Sequence, residues 1–159
     1  MSRMRPARMS RAGSARRRFL VGLAGVVVMV GAAPLVHAAE RKLTNADWAA
    51  IRRVISQQLV ALRAGDGERA FSYASPGIRA QFDDGRTFMT MVRTQYSALV
   101  DARYTEFLEG AVIDGVIVQP LRLIGRDNRV QVALYTMEKQ KRGWRISGCQ
   151  LAPSTVQAA

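Results

Sequence analysis

Tyr73, Tyr96 and Tyr135 are the residues of this 159-residue chain best placed to offer polar chemistry in an apolar setting. Phe71, Tyr73, Pro76, Ile78 and Phe82 fall close together as an aromatic and apolar cluster. Core packing is the ordinary use of such a cluster. At the mouth of a cleft it would instead wall a ligand pocket, with tyrosine hydroxyls as its polar handles. A tyrosine donor can also stabilise a developing oxyanion. That chemistry needs a partner base, a carboxylate buried enough to shift its pKa. Asp66 and Asp101 are the only faint candidates, and neither sits in an apolar run. The candidate pocket residues are therefore Phe71, Tyr73, Ile78, Phe82, Tyr96 and Tyr135, and no residue is assigned a catalytic role.

Other reactive side chains are scarce. The single histidine, His37, precedes the expected cleavage point described below. The mature domain then has none, and Ser-His-Asp and Cys-His catalysis as usually built are excluded. The commonest ligand of zinc, copper and iron goes with it. Neither a metal site nor a bound cofactor is expected. Cys149 is the only cysteine, so no internal disulfide can form. It reads as a buried free thiol rather than a nucleophile, since no base accompanies it. Asp83-Asp84-Gly85 resembles a carboxylate pair but reads as a solvated turn. Asp66 reads as a helix cap.

The first forty residues have the organisation of an export signal. Arg3, Arg5, Arg8, Arg11, Arg16, Arg17 and Arg18 form a basic start without acids. Phe19 to Ala33 is uncharged and rich in Val, Gly and Ala. Roughly 15 helical residues span only ~22 Å, short of the ~30 Å bilayer core, so an anchor is the weaker reading. Pro34 breaks the helix, and Val36 and Ala38 suit cleavage after Ala38. Arg16-Arg17-x-Phe19-Leu20 resembles the twin-arginine consensus, with Ala15 and Val21 departing from it. A general secretory signal is the alternative. The expected location is the bacterial periplasm or the exterior, with membrane contact only in transit.

The signal also explains the charge. The chain carries 24 Lys and Arg against 12 Asp and Glu, a net charge of +12. Seven of those arginines and none of the acids lie in residues 1–38. The remainder holds 17 basic and 12 acidic residues, about +5. Its arginines are scattered singles without a basic block, so no nucleic-acid partner is expected.

About 120 residues make one domain with a sizeable core. Residues 39–44 form a short leader, the domain occupies 45–152, and 153–159 is a frayed tail. Thr44 and Asn45 are good N-caps, and Asp47 favours the positive end of a helix. Trp48, Ile51, Ile55, Leu59 and Leu62 then give one apolar helical face, closed by Gly65. A short helix is expected from Glu68 to Tyr73. Ser75-Pro76 starts another turn, running through Ile78 and Phe82. A helix from Arg86 to about Leu99 carries Phe88, Val92, Tyr96 and Leu99 on one side.

The period then changes to two. Strands are expected over Tyr104–Val112, Val116–Ile124, Arg129–Gln140 and Trp144–Ala152. Asp114-Gly115, Gly125 to Asn128 and Lys141 to Gly143 supply the turns. Val116, Val118 and Leu121 or Leu123 are the candidate inward residues of the second strand. In the third, Val130, Val132 and Leu134 alternate against Gln131, Ala133 and Tyr135. Helices followed by consecutive strands predict an α+β fold, with N-terminal helices packed on a curved antiparallel sheet of about four strands.

Several segments together resemble a bacterial family, domain-of-unknown-function family 4864. They are Ile55-Ser56-Gln57-Gln58-Leu59, Ala70 through Arg79 with Phe82, Leu134-Tyr135-Thr136-Met137-Glu138, and Gly143 through Cys149. The resemblance spans about 45 to 152. It implies a cone-shaped, nuclear transport factor 2-like (cystatin-like) fold and supplies no established reaction. That wider fold class holds ketosteroid-isomerase-like enzymes and many binding domains, so fold alone does not decide function. The expected function is non-catalytic binding of a small apolar or amphipathic ligand, or of a partner protein. A ketosteroid-isomerase-like or dehydratase-like enzyme using the cone pocket is one alternative. A homodimerising structural module is another.

Overall fold

The computed structural model describes residues 42–153; the expected signal segment and the tail beyond Pro153 lie outside the described residues. Among the described residues, five helices precede five strands. They are α1 (Asn45–Arg63), α2 (Gly67–Ser72), α3 (Pro76–Arg79), α4 (Gly85–Gln95), α5 (Ser97–Asp101), β1 (Tyr104–Phe107), β2 (Ala111–Ile113), β3 (Val116–Ile124), β4 (Val130–Gln140) and β5 (Gly143–Pro153). The fold is α+β. All strand pairings are antiparallel, in the order β1-β3-β4-β5, with β2 also pairing with β3.

The helix starts follow local chemistry. The Thr44 hydroxyl accepts from Asp47 N–H, and the Asp47 carboxylate accepts from Thr44 N–H, a reciprocal box that satisfies two orphan donors. Asp47 also accepts from Lys139 of β4 at 2.9 Å. These bonds, the Lys139 one foremost, hold its carboxyl well below the usual range. A depressed folded-state pKa stabilises the fold above the unfolded carboxylate value of ~4, and the gain is lost as pH falls below it. The melting-temperature gap between wild type and Asp47→Asn is therefore expected to narrow between pH 6 and pH 2, as thermal unfolding at each pH will report. Ser75 caps α3 ahead of Pro76, Asp66 caps α2 through Arg69 N–H, and Gly65 takes the left-handed φ of +72° after α1.

Two expected elements are divided. The helix predicted from Arg86 to Leu99 breaks at Tyr96, whose backbone leaves the helical region at φ −129°, ψ 33°. Its hydroxyl donates to the Cys149 carbonyl at 3.1 Å, which ties the break to β5. The strand predicted over Tyr104–Val112 splits into β1 and β2. Phe107 faces Leu121 and Ala111 faces Val118, so residues 108–110 oppose only 119 and 120 of β3. The extra residue makes a bulge, and Pro120, which has no N–H to donate, sits opposite it. Gln119 fills the gap. Fully buried, it donates from Nε2 to the carbonyls of Leu108 and Pro120 at 2.7 and 3.0 Å, and accepts from Arg52 Nε at 3.3 Å.

The inward face of β3 also differs from expectation. Gln119, Leu121 and Leu123 are buried, while Val116 is exposed and Val118 half-buried. In β4 the buried set is Ala133, Tyr135 and Met137, with Val130 at the strand start. A second bulge follows in β5: Thr136 faces Gly148 but Met137 faces Ile146. The extra residue, Ser147, shifts the inward phase from Trp144 and Ile146 to Cys149 and Leu151, which pack on the core. Such bulges curve a sheet. Pro153, placed in the tail by sequence, still pairs with Gln131.

One core joins the two layers. Ile51, Ile55, Leu59 and Leu62 of α1 and Phe88, Met89 and Val92 of α4 pack in it with Leu121, Leu123, Ala133, Tyr135, Trp144 and Ile146 of the sheet. Phe71, Phe82 and Phe88 form an aromatic trio with centroids 5.2–6.3 Å apart. Among the described residues, no helix is long and apolar enough to cross a membrane.

Candidate functional site: an apolar cavity without charged walls

A cavity of about 500 Å³ lies between the helices and the β4–β5 part of the sheet. That is within the ~300–1,000 Å³ typical of small-molecule sites. Gln58 and Leu62 of α1 wall one side. Ile78, Gln81 and Phe82 form the elbow side, and Phe88, Met91, Val92 and Gln95 of α4 face it. Tyr96 and Leu99 follow at the helix break. Tyr135 contributes from β4, and Ile146 through Cys149 contribute from the bulged stretch of β5. The two local irregularities thus serve one end. The helix break at Tyr96 and the bulge at Ser147 both occur on the cavity wall.

Of the six candidate pocket residues, Ile78, Phe82, Tyr96 and Tyr135 line this cavity. Phe71 and Tyr73 do not. Phe71 is buried beneath the wall in the aromatic trio, with Arg79 stacked 5.5 Å over its ring. Tyr73 ends α2, and its carbonyl accepts from Ile146 N–H at 3.0 Å. Its phenol, foremost, raises the Arg69 pKa above its ordinary value. The sequence cluster is contiguous, but helical turns send its members to different sides.

Among the described residues, no Asp, Glu, Lys, Arg or His side chain lines the cavity. Asp66 and Asp84 act as caps, on Arg69 N–H and Thr87 N–H. The Thr87 N–H, foremost, holds the Asp84 carboxyl below its ordinary value. Asp101 is exposed at the end of α5. An enolisation in this cavity would have a phenol donor but no carboxylate base. Among the described residues, no group of three His, Cys, Asp or Glu side chains stands close enough to hold a metal ion.

The polar atoms that do reach the cavity wall are neutral. Gln58 donates from Nε2 to the Ala70 carbonyl at 3.3 Å. Burial pushes the Cys149 thiol up to about 12. At pH 8 it holds on the order of 10³-fold less thiolate than a free cysteine, and thiolate is the nucleophile. Iodoacetamide is expected to spare Cys149 in the folded protein at pH 8 and to modify it once urea unfolds the chain, as intact-mass analysis will show. Burial, foremost, also raises the Tyr135 phenol well above its ordinary value. Its hydroxyl is buried and has no hydrogen-bond partner among the described residues. Sequence reasoning flagged Tyr135 but missed Gln58, Leu62, Met91, Val92 and Leu99 as wall residues. Gln58 carried the one usable signal, a polar residue on the apolar side of a helix.

A family model described as "Domain of unknown function (DUF4864)" matches residues 44–159. The chain belongs to this family. The match takes in every helix and strand of this DUF4864 domain and every residue of its cavity wall. No curated protein sequence matches the chain significantly. Among solved structures, a domain of unknown function with a cystatin-like fold from Nostoc punctiforme is similar over 72% of this chain and 81% of that chain, with 18% identity and a TM-score of 0.48.

Proposed function

We propose that this DUF4864 domain is an exported, non-catalytic binding domain that holds one small apolar or amphipathic molecule in the cavity between its helices and sheet. The observation that carries this reading is the wall itself: a cavity of about 500 Å³ with a mainly apolar lining and, among the described residues, no charged side chain. Burying apolar ligand surface there gains roughly 25 cal/mol per Å² removed from water. No cofactor, metal or nucleic acid enters the reading. The cone-shaped, nuclear transport factor 2-like arrangement supplies the pocket in this view. Export rests on the basic start and apolar run of residues 1–38, with Arg16-Arg17 marking the twin-arginine route.

The experiment is a fluorescence titration with N-phenyl-1-naphthylamine, a neutral apolar dye. Met91 is half-buried on α4 and lines the cavity, so Met91→Trp fills space without replacing a core residue. The wild type is expected to bind one dye per chain, and Met91→Trp at least tenfold more weakly. Equal dye affinity in the two proteins would move the site away from this cavity.

One observation favours a second reading, the homodimer. Val112 and Ile113 of β2 and Val116 of β3 stand 44–56% exposed on one hairpin, with Tyr104 half exposed on β1. A dimer through this edge would cover them. Sedimentation equilibrium of wild type and Ile113→Lys decides it: a dimer that the substitution dissociates supports the edge, and a wild-type monomer removes it.

A further inference from the structure

The ligand's chemistry can be narrowed from the polar atoms of the cavity. Tyr135 is fully buried in the sheet face that floors it, opposite Cys149 in the β4–β5 register. Its hydroxyl is the one buried side-chain polar atom, among the described residues, without a hydrogen-bond partner. Buried hydroxyls are ordinarily satisfied, and an orphan marks a place where a missing partner belongs. Tyr96, the other phenol on the wall, already donates to the Cys149 carbonyl. The Gln58 amide already donates to Ala70. Ser147 donates to the Thr136 hydroxyl, and Gln81 and Gln95 stand exposed to water. Among the described residues, the buried donor left unpaired on this wall is Tyr135.

What that donor can receive is set by the charges around it. Among the described residues, no cationic side chain lines the cavity. The one cationic side chain that bears on the Tyr135 phenol, among the described residues, is Arg63, in the last turn of α1. Arg63 is exposed and lies off the cavity wall. A carboxylate brought to Tyr135 would be buried without a counter-ion, which is strongly unfavourable. A hydrocarbon would leave the hydroxyl unpaired. A neutral oxygen acceptor avoids both penalties.

We infer that the cavity selects an uncharged, mainly apolar molecule carrying a carbonyl or similar neutral oxygen acceptor, and that Tyr135 is the residue that reads that oxygen. The inference rests on the binding reading above and deepens it. Its support is the coincidence of three features in one place: an apolar wall, a fully buried unpartnered phenol and the lack of a lining cation. The raised pKa of Tyr135 agrees, since it keeps the hydroxyl a donor at any physiological pH.

Three probes of matched shape test it. 2-Acetylnaphthalene carries a neutral carbonyl, 2-isopropenylnaphthalene replaces that oxygen with a CH2 group, and 2-naphthoate carries a carboxylate. Each is titrated by equilibrium dialysis against the full-length protein and against Tyr135→Phe. The expected result is that wild type prefers the ketone to the hydrocarbon by about tenfold and to the carboxylate by more. Tyr135→Phe is expected to lose the preference for ketone over hydrocarbon while keeping hydrocarbon affinity. Its unfolding temperature is expected to be no lower than wild type, because the hydroxyl removed has no partner in the fold. If wild type binds ketone and hydrocarbon equally, or naphthoate as tightly as ketone, the acceptor inference falls and the binding reading stands. A ketone preference that survives in Tyr135→Phe removes Tyr135 from the role. If none of the three probes binds wild type, both readings fall together.

Discussion

Replacing Gly85 with alanine will destabilise the domain by about 3 kcal/mol, and will lower its melting temperature by roughly 10 °C, although glycine-to-alanine in a helix ordinarily stabilises. Gly85 is buried at the start of α4, where that helix crosses the start of α2. A Cβ added there would lie 2.6 Å from both N and Cα of Glu68 and 2.7 Å from the carbonyl carbon of Gly67. These are backbone atoms, so no rotamer change relieves the overlap; the helices must separate. The reciprocal contact exists at Gly67, whose added Cβ would meet the Gly85 backbone. Glu68 closes the crossing by accepting from Gly85 N–H at 2.9 Å. The control is Gly77 in α3, where an added Cβ meets nothing nearer than Ser75 Oγ at 3.7 Å. Gly77→Ala is expected to be neutral or stabilising. Thermal and urea unfolding of the two variants will separate the effect of the crossing from helix propensity. Because α4 carries Phe88, Met91, Val92 and Gln95 on the cavity wall, Gly85→Ala is also expected to weaken dye binding.

Gln119→Leu will cost about 2–3 kcal/mol although it puts a more apolar side chain into a buried position. The side chain makes three hydrogen bonds that hold the β1–β2 bulge against β3. Leucine leaves the Leu108 carbonyl without its side-chain donor at a strand break where the backbone ladder already lacks the Pro120 N–H. The penalty for an unpaired buried group exceeds the gain from one more apolar contact. Arg52→Ala removes only the exposed partner of the three and is expected to cost less than about 1 kcal/mol. Urea titrations of Gln119→Leu and Arg52→Ala distinguish a bulge clamp from a simple polar pair.

The parts of this molecule that were legible in the sequence are those written in local chemistry. Thr44 with Asp47, Asp66 ahead of Glu68, and Ser75 with Pro76 each announce a helix start, and each cap is in place, with α2 beginning one residue earlier than expected, at Gly67. Asp114-Gly115 announces a hairpin, and both residues take positive φ, 51° and 78°. The α+β order follows from the change of period after Leu99. What was not legible depends on partners distant in sequence. Tyr96 breaks its helix because its hydroxyl finds Cys149, 53 residues away. The phase of β3 was ambiguous because Val116, Val118, Leu121 and Leu123 are apolar on both faces. The decisive inward residue, Gln119, is polar, and only its bonds to Leu108, Pro120 and Arg52 explain its burial. Gly67 and Gly85 give no local sign that their backbones touch.

The candidate site shows the same division. Ile78, Phe82, Tyr96 and Tyr135 stand out in the sequence by type and grouping, and the structure places them on the cavity wall. Phe71 and Tyr73 share that grouping but lie on other faces, a matter of a few helical turns. The neutrality of the wall depends on where Asp66, Asp84 and Asp101 spend their carboxylates, which composition does not reveal. Two are engaged as helix caps and one is exposed.

The most direct test of the binding account is native mass spectrometry of the protein purified under non-denaturing conditions from its own host, repeated after adding one equivalent of 2-acetylnaphthalene. The account predicts a single neutral organic molecule per chain, either carried through purification or taken up from the added ketone, and lost when the chain is unfolded. The bare chain mass in both samples would contradict it.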